Sequence, residues 1–252
     1  MKLESIFQYL NDYLQIDDHP DYPNALNGLQ VEGPKEIAHV AVAVDASESA
    51  IVEAASRGAD LLIVHHGLLW DGVEPLVGRH FRKIKRLIEG RVALYSCHLP
   101  LDSHAEVGNN ILLAQALGLE IGGQFGTHQG VNVGWWGRKE EAVTGVALAA
   151  ELEFVLKGPV RLVEGGAGLL ESVGVLTGSG GSFIKEAVEM GLDALITGEA
   201  GHHSYFEAME LGISVFLGGH YATETFGVKA LGGHLKERFG LSWEFVEQPT
   251  GF

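Results

Sequence analysis

Residues 39–66 and residues 173–199 follow one pattern, and this repetition limits the possible folds more than any other feature of the chain. The first stretch reads HVAVAVDAS, ESAIVEAASRG and ADLLIVHH: an apolar run, a helical segment, a Gly-Ala-Asp turn and a second apolar run. The second reads VGVLTGSGG, SFIKEAVEMG and LDALITGE, so Gly58-Ala59-Asp60 is answered 133 positions later by Gly191-Leu192-Asp193. Unbroken Val/Ile/Leu runs separated by helices mark parallel strands covered on both faces. The third strand repeats as well. RVALYSCHLPLD (91–102) is answered by ISVFLGGHYATE (213–224), which sets His98 and Asp102 against His220 and Glu224 at an offset of 122. The two offsets differ by 11 residues, and LWDGVEPLVGRHF (69–81) is where the extra chain of the first copy would lie. The expected fold class is α/β, with two related lobes from an internal duplication, 1–125 and 126–252. Any two β-α-β units share some likeness, so the repetition alone leaves unrelated units open.

Composition agrees with a packed protein. Of 252 residues, 46% are hydrophobic and 20% charged, which excludes wholesale disorder. No apolar run reaches the roughly 18 residues of a membrane helix. The opening MKLESIFQYLNDYL has Leu3, Ile6, Phe7, Leu10, Tyr13 and Leu14 at helical spacing with acidic interruptions, unlike a signal peptide. The single cysteine, Cys97, excludes an intramolecular disulfide and fits a reducing cytoplasm. A net charge of −16 argues against a duplex nucleic-acid surface but leaves room for a basic pocket holding one nucleotide.

Ligands of parallel α/β sheets sit beyond the carboxyl ends of the strands, and the polar clusters of this chain fall there. In LLIVHHGLLW, His65 and His66 converge only if the strand ends and turns, which Gly67 permits. The adjacent imidazoles then suit two neighbouring ions, one each. Equally, they could end a strand by bonding loop carbonyls. In GGHYATE, His220 and Glu224 can share one side of a helical turn starting around Ala222. Glu224 could instead serve the helix dipole. In SCHLPLD, Pro100 argues against a helix, which leaves Asp102 in a loop free to fold back, or to cap a helix around 108–117 as Ser103 also could. His98 matches His220 by repeat symmetry but could act behind the ligands.

Together, His65, His66, His220, Asp102 and Glu224 offer three imidazoles and two carboxylates without a thiolate. Such a set suits Zn, Mn, Fe, Co or Ni rather than Ca. Glu224 is the candidate bridge between two divalent ions about 3.5–4 Å apart, which would polarise a substrate oxygen and supply hydroxide near neutral pH. Glu199, His202 and His203 in TGEAGHHSYFEA occupy the equivalent strand end of the second copy, as acid/base groups or partners of ligands, or equally as a solvated helix start. TGSGGS (177–182) lacks the lysine of a phosphate loop and reads as a tight turn.

The ordered set NGLQVEG (27–33), VHHG (64–67), SCHLPLD (96–102), TGE..HH (197–203) and GGHYATE (218–224) resembles the Nif-three-like family, over nearly the whole chain. Bacterial members are labelled GTP cyclohydrolase I type 2 homologues. The resemblance implies a dinuclear metal centre between two α/β lobes, with ligands at His65, His66, Asp102, His220 and Glu224. It also implies a toroidal hexamer. There is no room between 125 and 175 for the domain that some relatives insert. The expected function is metal-dependent hydrolysis of a nucleotide-like or phosphorylated small molecule, with His98, Glu199 and His203 moving protons. The rival is a non-catalytic metal-binding scaffold or interaction protein. The GTP cyclohydrolase activity itself does not follow from this ligand set.

Overall fold

The repeated apolar runs are strands in a computed structural model of the chain, which describes residues 1–70, 72 and 74–251. Contacts gather the chain into two units, Met1–Leu101 with Gly227–Gln248, and Asp102–Phe226 with the tail from Pro249. This differs from the expected division at 125/126. The reason is long-range pairing: the C-terminal strand joins the first sheet, and the helix after Asp102 packs on strands of the second.

The first unit contains α1 (Leu3–Leu14), β1 (Gly28–Val31), β2 (His39–Asp45), α2 (Glu48–Ser56), β3 (Leu61–His66), α3 (Gly78–Gly90) and β4 (Ala93–Ser96). The short α4 (Leu99–Ser103) follows β4, and most of α10 (Thr225–Phe239) with β11 (Ser242–Phe245) returns from the far end. The sheet order is β1-β4-β3-β2-β11, parallel except for β1. Val40 to Val44 of β2 are all buried, which explains an apolar run with no alternation. Ala41, Ala43, Leu62, Val64 and Leu94 pack with Ile51 of α2 and Leu87 of α3. Leu3, Ile6, Leu10 and Leu14 form the buried stripe of α1. Each such Leu or Ile contributes roughly 1.5–3 kcal/mol through burial.

The second unit contains α5 (Asn109–Ala116), β5 (Glu120–His128), β6 (Val131–Val143), α6 (Gly145–Leu156), β7 (Arg161–Glu164), β8 (Leu170–Leu176), α7 (Ile184–Glu189), β9 (Ala194–Thr197), α8 (His202–Leu211), β10 (Ser214–Leu217) and α9 (His220–Thr223). Its sheet order is β5-β6-β8-β9-β10-β7. Strands β8, β9 and β10 are parallel, while β5, β6 and β7 pair antiparallel. Thr144 caps α6 by accepting the N–H of Ala147 at 3.2 Å, as Ser47 caps α2 through Ala50 at 3.0 Å. Among the described residues, no helix is long and apolar enough to cross a membrane.

Each unit carries the same three-strand parallel core with an antiparallel neighbour on its third strand, β1 on β4 and β7 on β10. The turn aspartates do the same work in each. Asp60 Oδ2 accepts the N–H of Ala38 and His39 at 2.8 and 3.1 Å, and Asp193 Oδ2 accepts those of Glu171 and Ser172 at 3.0 and 2.8 Å. These donors also stand 133 positions apart. Gly58 and Gly191 have φ of 75° and 74°, the left-handed conformation that closes a helix.

The ladder changes the third offset, however. Leu61 pairs with Ala93 and Ala194 with Ser214, so the third strands match at 121 rather than 122. His98 therefore corresponds to His220 only if one residue is added after β10, where Gly219 takes φ 90°. A second expectation also changes. Pro100 sits in the first turn of α4, where a missing N–H costs no helical bond, so Asp102 lies on a short helix. In the segment 69–81, Leu69 and Trp70 are partly buried, while Leu76 and Val77 are 57% and 67% exposed. Val73 lies outside the described residues.

Candidate metal centre

In the first unit, His65 and His66 are the last two residues of β3, with ring centroids 4.6 Å apart. The sheet register supplies their partners. Asp45 ends β2 directly opposite His66 and accepts from its Nδ1 at 2.9 Å. Cys97, just beyond β4, accepts from His65 Nδ1 through its carbonyl at 3.0 Å. His98 follows, and its Nδ1 donates to Asp21 Oδ1 at 2.8 Å. A carbonyl or carboxylate can only accept, so each imidazole carries its proton on Nδ1 and offers Nε2 as a lone pair. This is the arrangement that second-sphere oxygens impose on metal-binding histidines. His65, His66 and His98 can each aim one ligand atom so that all lie within 4.8 Å of one another.

The glycine after the pair is needed for close approach. A Cβ on Gly67 would stand 2.4 Å from Gln30 Nε2, and Gln30 Oε1 accepts the N–H of Leu68 at 2.7 Å. Asn27 accepts the His98 N–H at 2.8 Å and donates to Asp21 at 2.9 Å. The NGLQ motif thus holds the turns on which the imidazoles sit.

In the second unit, Asp102 is 5% exposed and accepts from Asn109 Nδ2 at 2.8 Å and from Thr177 Oγ1 at 3.4 Å. Asn110 ties the Thr177 turn to the same place, accepting the Thr177 N–H at 2.6 Å. Glu224 is 2% exposed. It stands in the break between α9 and α10 rather than within one helix starting near Ala222. His220 Nε2 lies 3.2 Å from Glu224 Oε2, and His220 Nδ1 donates to Glu199 Oε1 at 3.0 Å. Burial pushes the His220 imidazole down, but Glu224 and Glu199 outweigh it and hold the ring up at about 9. Two carboxylates therefore draw positive charge to this imidazole. TGSGGS is a tight turn with a steric duty: a Cβ on Gly178 would meet Glu224 Oε1 at 2.1 Å.

Glu199 is half-exposed and acts on His220 as an orienting carboxylate. His202 and His203 are exposed on the first turn of α8, the His203 ring folded against Gly201. Sequence reasoning did not single out Asp21, Asp45, Asn109 or Thr177 as partners. Asp45 had a usable signal, since it ends an apolar run as His66 does. Asp21 had none, because 77 positions separate it from His98.

The imidazoles at the strand ends of the first unit, and the buried Asp102 and Glu224 with His220 in the second, are of the kind that could hold metal ions. A family model described as Duf34/NIF3 (NGG1p interacting factor 3) matches residues 1–250, and the chain belongs to that family. A relative from Deinococcus radiodurans, named GTP cyclohydrolase 1 type 2 homolog, is 41% identical over 98% of this chain and 94% of its own. The solved structure of TTHA1606 from Thermus thermophilus superposes with a TM-score of 0.90 at 41% identity over the whole of both chains. Protein ybgI, described as of unknown function, gives 0.93 at 36% identity, again over both chains in full.

Proposed function

We propose that this protein is a metal-dependent hydrolase of a nucleotide-like or phosphorylated small molecule. In this reading His65, His66, Asp102, His220 and Glu224 hold two divalent ions of the Zn, Mn, Fe, Co or Ni type. The observation that carries it is the shared protonation pattern: four imidazoles each give Nδ1 to an oxygen acceptor. When bound, the ions would polarise a substrate oxygen and activate water near neutral pH. The chain's own residues do the rest. Asp45, the Cys97 carbonyl and Glu199 orient three of the rings, Asn109 holds Asp102, and Glu224 would be the carboxylate shared by the two ions. His98 accepts a proton from the attacking group, and Glu199 and His203 pass protons on the side of the second unit.

A feature of the second unit favours an anionic substrate. A cavity of about 280 Å³ lies against β7, β10 and α8, lined by Arg161, Val163, His202, Tyr205, Phe206 and Leu217 among others. Arg161 brings a guanidinium to this lining in a chain of net charge −16. An apolar floor, two aromatic walls and one guanidinium suit a planar ring carrying phosphate. Glu199 and His220 stand one and three residues from its lining members Ala200 and Leu217.

The test is metal analysis of the purified protein, then a panel of nucleotides and phosphoesters. Roughly stoichiometric divalent metal with turnover is expected, and Arg161→Ala should raise KM about tenfold while leaving metal content alone. Bound metal with no turnover across the panel would favour the scaffold reading. Absence of metal would remove both.

We also infer self-association to a toroidal hexamer in a cytoplasmic, reducing setting. The exposed Leu76, Val77, Phe81 and Ile88, at 57%, 67%, 51% and 62%, support a covered surface. Light scattering should read about six protomers. A single-protomer mass for the metal-bound protein would defeat the ring and leave the site reading intact.

A further inference from the structure

We propose that Asp21 is a positioning residue which fixes the tautomer and the orientation of His98 beside His65 and His66. The inference rests on the functional reading above for its chemical use, but its structural core stands apart from it.

The pair is buried, with 5% of the Asp21 side chain and 9% of the His98 side chain exposed. Donors reach both oxygens of Asp21. Oδ1 accepts from His98 Nδ1 at 2.8 Å and from the Tyr22 N–H at 2.7 Å. Oδ2 accepts from Asn27 Nδ2 at 2.9 Å and from the Leu99 N–H at 3.1 Å. Burial pushes the Asp21 carboxyl up, yet His98, Asn27 and Tyr22 outweigh it and hold it below the usual carboxylate value. A carboxylate supplied with so many N–H groups stays ionised and can only accept.

His98 is gripped at two further points. Asn27 Oδ1 accepts its backbone N–H at 2.8 Å, and the ring is enclosed by its neighbours. Trp70 stands edge-on at 4.4 Å, Tyr22 at 5.8 Å, His65 at 4.9 Å and His66 at 5.6 Å between centroids. A flipped ring would set its Cδ2–H there and lose the 2.8 Å bond, and the other tautomer would set the Nδ1 lone pair against the carboxylate. The ring therefore keeps Nδ1–H toward Asp21, and Nε2 faces the two strand-end imidazoles. A carboxylate behind an imidazole holds the ring's tautomer and stabilises the imidazolium formed when the far nitrogen takes a proton. The proton taken by Nε2 leaves the attacking O–H, whose electron pair forms the new bond. It returns to the leaving group, and Asp21 keeps its charge throughout.

Asp21→Asn is the decisive change, since its amide keeps the shape but presents an N–H to Nδ1. In selectively ¹⁵N-histidine-labelled, zinc-loaded protein, the His98 proton should move from Nδ1 to Nε2, with the signal assigned by its loss in His98→Gln. Metal content should be unchanged in both variants. Turnover of whichever panel compound the wild type hydrolyses should fall about 10²–10⁴-fold, with KM little altered. An unchanged tautomer in Asp21→Asn would overturn the proposal. So would loss of a metal equivalent in His98→Gln, which would make His98 a ligand. A metal-free, inactive wild type would sink the hydrolase reading, while the tautomer of that same protein would still decide the dyad.

Discussion

Glu224→Ala is expected to empty both metal positions, so that bound metal falls from about two equivalents to well under one. In the proposed reading Glu224 would hold both ions, so its removal would take a ligand from each. The same loss exposes the folded state to the missing ligand energy. A metal held at a hundredfold excess over its Kd stabilises by about 2.7 kcal/mol, and this increment should disappear from thermal unfolding measured with metal present. Asp102→Ala should cost less, because it would serve one ion. His65→Ala and His66→Ala should differ from each other if the adjacent rings serve different ions. Two full equivalents retained by Glu224→Ala would remove this residue from the metal site.

Gly178→Ala should have nearly as large an effect from a residue that touches no metal. Two constraints meet at this glycine. Its φ of 65° is costly for any residue with a Cβ, by roughly 1–2 kcal/mol. The added Cβ would also stand 2.1 Å from Glu224 Oε1 and 3.3 Å from His220 Nε2. Glu224 Oε1 is the far end of a flexible side chain, so the carboxylate swings away and the backbone need not. The expected result is a protein that folds, with unfolding temperature lowered by a few degrees, but whose metal affinity falls roughly 10–100-fold. Circular dichroism and metal titration on one preparation separate the two effects. Normal affinity in Gly178→Ala would mean that the Gly178 turn does not set the carboxylate.

Much of this arrangement was legible along the chain. The alternation of apolar runs with helices required parallel strands, and His65 and His66 end one of them, while Asp102, His220 and Glu224 follow the third strand of each repeat within seven residues. Local signals also misled. Pro100 argued against a helix, yet a proline in the first turn interrupts no bond, so Asp102 sits on α4. The matched spacing of His98–Asp102 and His220–Glu224 suggested an offset of 122, whereas the strand ladder runs at 121. Spacing between polar residues cannot reveal where a loop gains one residue, because loops obey no period.

The sequence by itself determined the kinds of element, their order, and the imidazoles and carboxylates that stand at strand ends. Hydrophobic periodicity is a short-range property, written within each run of five to ten residues, and it survives without knowledge of neighbours. Only the tertiary structure decided who orients each ring: Asp45 for His66, the Cys97 carbonyl for His65, Asp21 for His98 and Glu199 for His220. It also decided that β11 closes the first sheet and that α5 belongs with the second unit. These are hydrogen bonds and packings across 21 to 77 positions, or across nearly the whole chain for β11. Strand order and register bring such partners together, and neither is written in the local pattern of any one segment.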